Sequence, residues 1–302
     1  MIILCTTSNF TADNFPAGLK VIKNPFKRKL TEAEVATLIE EHQPVGMIAG
    51  VEPLTRAVLK KAKNLKVISR CGIGLDSVDL EAARALGIVV TNTPDAPTIP
   101  VAELTLGMIL NLMRHLHIID AGIRRGKWER PMGRLLHGKT VGIVGCGRIG
   151  SYVAKLVSAF GCRVLGCDPY LQTHQYCKLV SLDTLLAQSD IVSLHIPYSA
   201  DNHHLISTTQ LALMKPGAIL INAARGGLVD EQALYEAVKS GHLGGAAIDC
   251  FEKEPYTGPL KELPNVLLTA HIGSYAKEAR TLMEQQAVEN LVRELQRQGV
   301  VQ

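Results

Sequence analysis

The sequence has 302 residues, of which 47% are hydrophobic and 20% are charged, and its formal net charge is +4. These proportions exclude an intrinsically disordered chain, and the length favours two domains with cores of their own. The most concentrated basic stretch, from Lys20 to Lys29, is too small for the basic face that nucleic-acid binding requires, so we expect a solvated loop there and no nucleic-acid partner.

The beginning of the chain, "MIILCTT", predicts a strand and not a signal peptide, because no basic segment is followed by a long apolar one. The most apolar helix-like stretch, residues 101–123, carries Glu103, Arg114 and Asp120, which a bilayer would penalise. The seven cysteines form no CxxC pair, and their odd number favours reduced thiols. We expect a cytoplasmic protein with no membrane partner.

Apolar runs rich in β-branched residues alternate with helix-like segments in the first part of the chain, which is typical of parallel βαβ units. The predicted strands are "IILCTT", "VGMIAG", "LKVISRC" and "GIVVTN". A helix is predicted over residues 31–42, where "TEAE" offers Thr31 and Glu34 as a capping box.

The three prolines of "TPDAPTIP" then predict a linker. After it, "VAELTLGMILNLMRHLHIIDAG" is apolar on nearly every face, so as one helix it must be buried against more than its own domain. We expect a homodimer interface near residues 100–125.

A second series of strands contains a glycine motif for a dinucleotide. Gly145, Gly147 and Gly150 form G-x-G-x-x-G between the strand "TVGIVG" and a helix, where the backbone can approach a pyrophosphate. The next strand, "CRVLGCD", ends in Asp168, a carboxylate placed to bind the ribose hydroxyls of NAD and to repel the 2′-phosphate of NADP. NAD is therefore the predicted cofactor.

The fold class predicted is α/β, with two doubly wound parallel-sheet domains and a cleft between them. Residues 1–97 and 283–302 are expected to form a flavodoxin-like substrate domain, and residues 98–282 a Rossmann NAD domain. The final helix, at about residues 275–298, is expected to cross back to the first domain.

Three strand ends of the second series carry chemical groups: "INAARGG" with Arg225, "AAIDCFEKEP" with Glu254, and "LLTAHIGS" with His271. Ligands of open α/β sheets bind at the carboxyl ends of strands, so these side chains are expected to converge. Reducing a 2-keto acid needs a cation for the carboxylate, an acid for the carbonyl oxygen and a carboxylate that keeps the acid protonated. Arg225, His271 and Glu254 suit these roles.

The chain resembles the D-isomer-specific 2-hydroxyacid dehydrogenase family through several motifs in the family's order. They include "SRCGIGLDSVDLEAARALGIVVTNTP", "GKTVGIVGCGRIG", "SLHIPYSADNHHLI", "MKPGAILINAARGGLVDEQAL", "DCFEKEP" and "LLTAHIGS". The resemblance implies an NAD-dependent, usually dimeric enzyme that acts on a small 2-keto or 2-hydroxy acid.

The resemblance also implies roles for individual residues. Arg225 binds the substrate carboxylate and carbonyl, Glu254 pairs with the histidine, and His271 donates or accepts the proton. The backbone amides of Ile73 and Gly74 hold the carboxylate. The remaining positions border the cofactor: Arg148, Ile149, His195, Ile196, Pro197, Ala223 and Asp249.

Within the family the chain looks most like phosphoglycerate dehydrogenases without a regulatory domain. The stretch "AGVEPL" lacks the arginine that helps those enzymes hold the phosphate, which leaves Arg70 and the run Lys27 to Lys29 as alternatives. D-3-phosphoglycerate is the first substrate hypothesis, and a glyoxylate or hydroxypyruvate reductase is the second. An NAD-sensing co-repressor is a remote third.

No metal site is predicted. The doublets His203–His204 and His115–His117 have no acidic or cysteine partner at ligand spacing in the sequence, so they are interpreted as solvated or packing residues.

Overall fold

The structure, a computed structural model, describes residues 1–301. The chain forms two compact units, of which unit 1 comprises Met1–Pro97 with the segment from Ser274 onward, and unit 2 comprises Thr98–Gly273. Among the described residues, no helix combines the length and the apolar character needed to span a bilayer.

Short strands alternate with helices along both units. The strands are β1 Ile2–Cys5, β2 Lys20–Lys23, β3 Gly46–Ala49, β4 Val67–Arg70, β5 Val89–Thr91, β6 Thr140–Val144, β7 Arg163–Cys167, β8 Lys178–Leu179, β9 Ile191–Leu194, β10 Ile219–Asn222, β11 Gly245–Ile248 and β12 Val266–Leu268. The helices are α1 Glu32–His42, α2 Arg56–Leu59, α3 Leu80–Ala85, α4 Thr98–Arg114, α5 Leu116–Arg124, α6 Arg148–Ala159, α7 Leu182–Gln188, α8 Thr208–Leu213, α9 Glu231–Lys239 and α10 Lys277–Arg297.

Unit 1 contains a parallel sheet in the order β2-β1-β3-β4-β5, which is the flavodoxin-like order. Its central strand β3, "GMIA", is buried along its whole length, as expected where helices cover both faces of a parallel sheet. The predicted capping box of α1 is confirmed, since the Thr31 side chain accepts from the backbone N–H of Glu34 and the Glu34 carboxylate accepts from that of Thr31.

The prediction of a solvated loop from Lys20 to Lys29 is wrong for its first part. Residues Lys20–Lys23 form β2, which pairs with β1 at the edge of the sheet. An edge strand buries little of its surface, so charged residues are compatible with it and its sequence pattern is weak. Only residues 24–29 of this region lie outside regular structure.

The last helix, α10, packs on the sheet of unit 1 through Met283, Ala287 and Leu291. Beside them Glu284 is buried, and its carboxylate is surrounded by donors. Oε2 accepts from the backbone N–H of Thr11 at 2.8 Å, from its hydroxyl at 2.8 Å and from the N–H of Ala12 at 3.1 Å, while Oε1 accepts from Arg280 at 3.1 Å. The loop after β1 is thereby fixed to α10.

Unit 2 contains a seven-stranded parallel sheet in the order β12-β11-β10-β9-β6-β7-β8. The chain starts in the middle at β6, builds outward through β7 and β8, and then returns to place β9 on the other side of β6. This reversal is the switch point of a Rossmann fold, beside which nucleotides bind. The predicted fold class is confirmed, with one doubly wound sheet in each unit.

The prediction of one long apolar helix after residue 100 is wrong in one respect, because the structure divides this segment into α4 and α5. His115 adopts a left-handed backbone with φ +55°, and the Asn111 carboxamide accepts from the backbone N–H of His117 at 3.1 Å. The Asn111 side chain thus gives the new helix a hydrogen-bonded start. Pro100 lies in the first turn of α4, where a missing N–H costs nothing.

Replacing Glu284 with alanine is expected to lower the free energy of unfolding by about 2–4 kcal/mol, because buried donors of Thr11, Ala12 and Arg280 lose their acceptor. Urea denaturation measures the change. Glu289→Ala on the exposed face of the same helix is the matched control and should change the stability by less than ~0.5 kcal/mol. Equal stabilities of the two variants would contradict the role of Glu284.

Candidate active site

The glycine motif forms a tight turn between β6 and α6. Gly145 has φ +90°, and a Cβ placed there would lie 2.7 Å from the carbonyl oxygen of His195. A Cβ at Gly150 would overlap the carbonyl oxygen of Gly145, whereas one at Gly147 would meet nothing within 4 Å. Gly145 and Gly150 are therefore required by packing, and Gly147 leaves open space in front of the turn.

The first residues of α6 are Arg148 and Ile149, so the predicted pyrophosphate contacts lie at the N-terminus of a 12-residue helix. Unpaired N–H groups and the positive end of the helix dipole favour an anion at this position. Arg148 is exposed and Ile149 is half-buried. These residues fit the pyrophosphate of a dinucleotide.

Asp168 follows β7 and faces the glycine turn. Its Oδ2 accepts from the backbone N–H of Cys146 at 2.9 Å, and its Oδ1 accepts from that of Tyr170 at 3.0 Å. Each carboxylate oxygen can accept a second hydrogen bond. Asp168 therefore holds the turn in shape and retains the capacity to accept from ribose hydroxyls.

His195, Ile196 and Pro197 follow β9 directly, and the first two pack against Gly145. The His195 ring lies with Nε2 2.9 Å from the Ser193 hydroxyl. Burial lowers the pKa of His195 to about 4, so its imidazole is neutral near pH 7. The His195 side chain therefore adds no charge next to the glycine turn.

Arg225 is positioned by the end of β10. The buried Asn222 donates from Nδ2 to the carbonyl oxygen of Arg225 at 2.8 Å and accepts from the N–H of Ala224 at 3.1 Å, so one carboxamide shapes the turn. The Arg225 guanidinium is half-buried and donates to the carbonyl oxygen of Ala224 at 2.7 Å. Ala223, which follows Asn222 in the chain, is buried.

Glu254 and His271 lie together. Nδ1 of His271 is 2.9 Å from Oε1 and 3.1 Å from Oε2 of Glu254, and Oε1 also accepts from the N–H of Phe251 at 3.2 Å. Because the carboxylate accepts a hydrogen bond from Nδ1, the other ring nitrogen, Nε2, is the one available to exchange a proton with a ligand. The side chain of His271 is 42% exposed, so a ligand can reach it.

Asp249 has a structural task that the sequence did not indicate. Its fully buried carboxylate accepts from the Thr269 hydroxyl at 2.6 Å, from the N–H of Ile272 at 2.8 Å and from the N–H of Gly273 at 2.9 Å. These bonds enclose His271, whose φ of +53° is unusual for a residue with a side chain. Asp249 thus determines where His271 lies.

The loop that carries Arg225 and the loop that carries Glu254 are in contact, because a Cβ at Gly226 would overlap the backbone of Phe251. The buried thiol of Cys250 lies in the second loop, and its burial raises its pKa. The structure brings together strand ends that lie far apart in the sequence.

Unit 1 presents its own groups at the carboxyl end of its sheet. Ile73 and Gly74 follow β4 and are half-buried, and the carbonyl oxygen of Ile73 accepts from Asn92 at 2.7 Å. In the stretch "AGVEPL", which begins at the end of β3, the chain has Glu52. This carboxyl is buried and accepts from the Thr6 hydroxyl and from the N–H of Gly50, and burial raises its pKa.

The family of the chain follows from comparison with known proteins. Residues 106–273, which cover most of unit 2, match the family model of the D-isomer specific 2-hydroxyacid dehydrogenase, NAD binding domain. The chain belongs to this family. Its NAD-binding domain contains the glycine turn, Asp168, Arg225, Glu254 and His271 described above.

Curated relatives of the family carry two activity names. The chain is 43% identical over 259 residues to a D-3-phosphoglycerate dehydrogenase of Methanocaldococcus jannaschii, covering 83% of this chain and 49% of that protein. It is 40% identical over 273 residues to a hydroxypyruvate reductase of Thermotoga maritima, covering 88% of this chain and 89% of that protein. The chain thus spans about half the length of the phosphoglycerate dehydrogenase and most of the reductase.

Solved structures agree with the fold. The TT0316 protein of Thermus thermophilus is 40% identical and superimposes with a TM-score of 0.88, covering 98% of this chain and 97% of that one. A D-lactate dehydrogenase of Aquifex aeolicus, solved with NAD and lactic acid, is 29% identical with a TM-score of 0.83, covering 99% and 96%.

Two residues of the site were missed in the sequence. Asn222 shapes the Arg225 turn, and Thr269 donates to the buried Asp249. An asparagine at the end of a strand of apolar residues is a signal that could have identified the first. Nothing in the local sequence indicates the second, because its partner lies 20 residues away on another strand.

The low pKa of His195 predicts a dependence of stability on pH. An exposed histidine in the unfolded chain has a pKa of about 6.5, so between that value and the folded value of about 4 the unfolded state binds the additional proton. Stability should therefore fall as the pH falls through this window, with a contribution of at most ~1.4 kcal/mol per pH unit. Denaturation of the cofactor-free chain and of its His195→Gln variant at several pH values measures this contribution. An identical pH dependence of stability in the two proteins would contradict the low pKa assigned to His195.

Proposed function

We propose that the chain is an NAD-dependent oxidoreductase that interconverts a 2-keto acid and the corresponding D-2-hydroxy acid. The observation that supports this most directly is the pair formed by His271 and Glu254, with Arg225 on an adjoining loop, in an NAD-binding domain of the family. NAD, when bound, supplies or accepts the hydride. The chain provides the anion site, the proton and the position of both ligands.

Arg225 is proposed to bind the substrate carboxylate and carbonyl oxygen. A planar guanidinium can donate two parallel hydrogen bonds to a carboxylate, which fixes the orientation of the acid as well as attracting it. The turn that carries Arg225 is held by Asn222, so the cation is positioned before substrate arrives. From unit 1 we propose that the backbone amides of Ile73 and Gly74 also bind the carboxylate.

His271 is proposed to donate its Nε2 proton to the carbonyl oxygen during reduction and to accept it from the hydroxyl during oxidation. Glu254, bonded to Nδ1, fixes the ring orientation and stabilises the positive imidazolium. Because the ring is partly exposed, it can exchange its proton with solvent between turnovers. No other titratable group is needed for the proton balance.

The cofactor is proposed to bind along the glycine turn. Gly145, Gly147 and Gly150 would let the backbone approach the pyrophosphate, with Arg148 and Ile149 flanking it at the start of α6. Asp168 would accept from the ribose hydroxyls, which favours NAD over NADP. The residues proposed to border the rest of the cofactor are His195, Ile196, Pro197, Ala223 and Asp249.

The first substrate candidate is the pair D-3-phosphoglycerate and 3-phosphohydroxypyruvate, supported by the relatives of that name. The second is hydroxypyruvate or glyoxylate, which two features of unit 1 favour. The stretch "AGVEPL" has the buried Glu52 and no arginine, and the guanidinium of Arg28 donates to Glu34 through contacts of 2.9 and 2.6 Å. The other cations offered for a phosphate are Lys27, Lys29 and Arg70, and the Arg70 guanidinium donates to the carbonyl oxygen of Cys71.

A homodimer is proposed as the assembly. Helix α5 and the segment after it expose large apolar side chains: Leu116 at 53%, Ile123 at 51%, Trp128 at 81%, Met132 at 91% and Leu135 at 71%. A continuous stretch of this kind is typical of an interface and is unfavourable in water. The molar mass in solution, measured by light scattering, tests this proposal.

We place the protein in the cytoplasm. All seven cysteines are free thiols, and Cys5, Cys71, Cys146 and Cys250 are buried. Free thiols persist in a reducing compartment, and NAD metabolism is compatible with the same location. Labelling of the thiols in intact cells, with and without prior reduction, tests their redox state.

His271→Ala is expected to lower kcat by more than ~100-fold, because the proton donor is lost. Arg225→Ala is expected to lower kcat/KM by at least ~100-fold, because the carboxylate loses its charge-assisted hydrogen bonds. Both should bind NADH as the unaltered chain does, which fluorescence titration measures.

The matched controls are His137→Ala and Arg84→Ala, which remove exposed residues of the same types elsewhere. Both controls should keep full turnover. Near-normal kcat in His271→Ala would refute its role. A chain that binds NADH but turns over no keto acid, and that retains an NADH-dependent protein partner, would instead indicate the co-repressor function.

The substrate hypotheses are separated by NADH oxidation with 3-phosphohydroxypyruvate, hydroxypyruvate and glyoxylate under matched conditions. For the first hypothesis we expect kcat/KM with the phosphorylated acid to be at least ~10-fold higher, since a phosphate anchor adds charge-assisted hydrogen bonds. The reverse order would show that the missing arginine decides the preference and would establish the small-keto-acid reductase.

A further inference from the structure

Three side chains outside the proposed active site form a group with the composition of a metal site. His203, His204 and Glu252 each offer one ligand atom, and these atoms lie within 4.8 Å of one another. Nε2 of His204 is in direct contact with Oε1 of Glu252. The sequence had suggested that this histidine doublet lacks an acidic partner; the structure supplies one from 48 residues away.

The backbone places the two adjacent rings on the same side. Neighbouring residues of an extended chain point in opposite directions, but His204 has φ +52°, in the left-handed region that residues with side chains seldom adopt. As a result the imidazoles of His203 and His204 stack with their centroids 3.8 Å apart and their planes at 25°. The His204 ring thus contacts Glu252 directly, and the His203 ring is stacked on His204 with its ligand atom within 4.8 Å of theirs.

The Nδ1 atom of each ring has a polar neighbour. Nδ1 of His203 lies 3.2 Å from the Tyr198 hydroxyl, and Nδ1 of His204 lies 4.0 Å from Oδ2 of Asp230. The first distance allows a hydrogen bond, whereas the second is too long for one. A histidine that places its Nδ1 proton toward a hydrogen-bond acceptor has the lone pair on Nε2, which is the form that binds a metal ion.

The loops behind this group are those that carry Arg225 and Glu254. The N–H of His204 donates to the carbonyl oxygen of Gly227 at 2.8 Å, and the N–H of Glu252 donates to Glu231 at 2.8 Å. A Cβ at Gly226 would overlap the backbone of Phe251, so the two loops are in close contact. A ligand held by His203, His204 and Glu252 would join the loop of residues 198–204 to the loop of residues 250–254.

We propose that His203, His204 and Glu252 form a binding site for a divalent cation of the zinc class. Two imidazoles and one carboxylate are ligands that Zn²⁺ accepts in a tetrahedral arrangement, and water completes the fourth position. The ion stabilises the two loops. Its binding requires neutral imidazoles, so protons compete with the ion for the two rings.

The test is titration of the full chain, freed of metal with a chelator, with Zn²⁺ in competition with a chromophoric chelator and without NADH or substrate. The variants are His203→Ala and Glu252→Gln, the second of which retains the backbone bond to Glu231. His137→Ala is the control, since it removes an exposed histidine elsewhere in unit 2. Co²⁺ in place of Zn²⁺ reports the donor atoms, because a cysteine ligand would add an intense thiolate-to-metal absorption band.

We expect one Zn²⁺ to bind to the unaltered chain and to His137→Ala, to raise the melting temperature by roughly 5 °C at saturation, and to give a Co²⁺ spectrum without the thiolate band. His203→Ala and Glu252→Gln should each bind the ion more than ~10-fold more weakly than the unaltered chain. Absence of binding, a thiolate band, or equal affinity in His203→Ala would overturn the site. None of these readouts uses turnover, so they are independent of the proposed function.

Discussion

The proposed chemistry of unit 2 depends on the hydrogen bonds that the buried carboxylate of Asp249 accepts. Three donors from residues 269–273 meet its two oxygens, and the backbone N–H of His271 donates to its carbonyl oxygen at 2.9 Å. A carboxylate without solvent is unfavourable unless hydrogen bonds replace the water, so the loop and the charge stabilise each other. His271 is held in a left-handed conformation by this arrangement and not by its own preference.

The rest of the candidate site follows the same principle, in which a polar group at a strand end fixes the next turn. Asp168 holds the glycine turn through the N–H of Cys146, and Asn222 holds the turn of Arg225. The parallel sheet brings these ends to one edge, because all its strands run in the same direction. The functional side chains are consequently placed by rigid strands while their own atoms remain accessible.

Features encoded in consecutive residues could be predicted from the sequence. The apolar strands, the capping box of Thr31 and the glycine motif depend on local pattern, and Arg225, Glu254 and His271 were recognised as groups at strand ends. Features that depend on distant contacts could not. Asn111 breaks the apolar helix by bonding to His117, β2 forms from a polar segment because β1 offers an edge, and His204 meets a carboxylate from another loop.

The measurement that tests the central claim is the rate of NADH oxidation by Asp249→Asn at saturating NADH and keto acid. An asparagine cannot accept from all the donors that now surround both oxygens, so His271 should be displaced and the rate should fall about 100-fold. Thr269→Val, which removes one donor, should have a smaller effect in a chain that remains folded. An unchanged rate in an Asp249→Asn chain with the melting temperature of the unaltered protein would contradict the account.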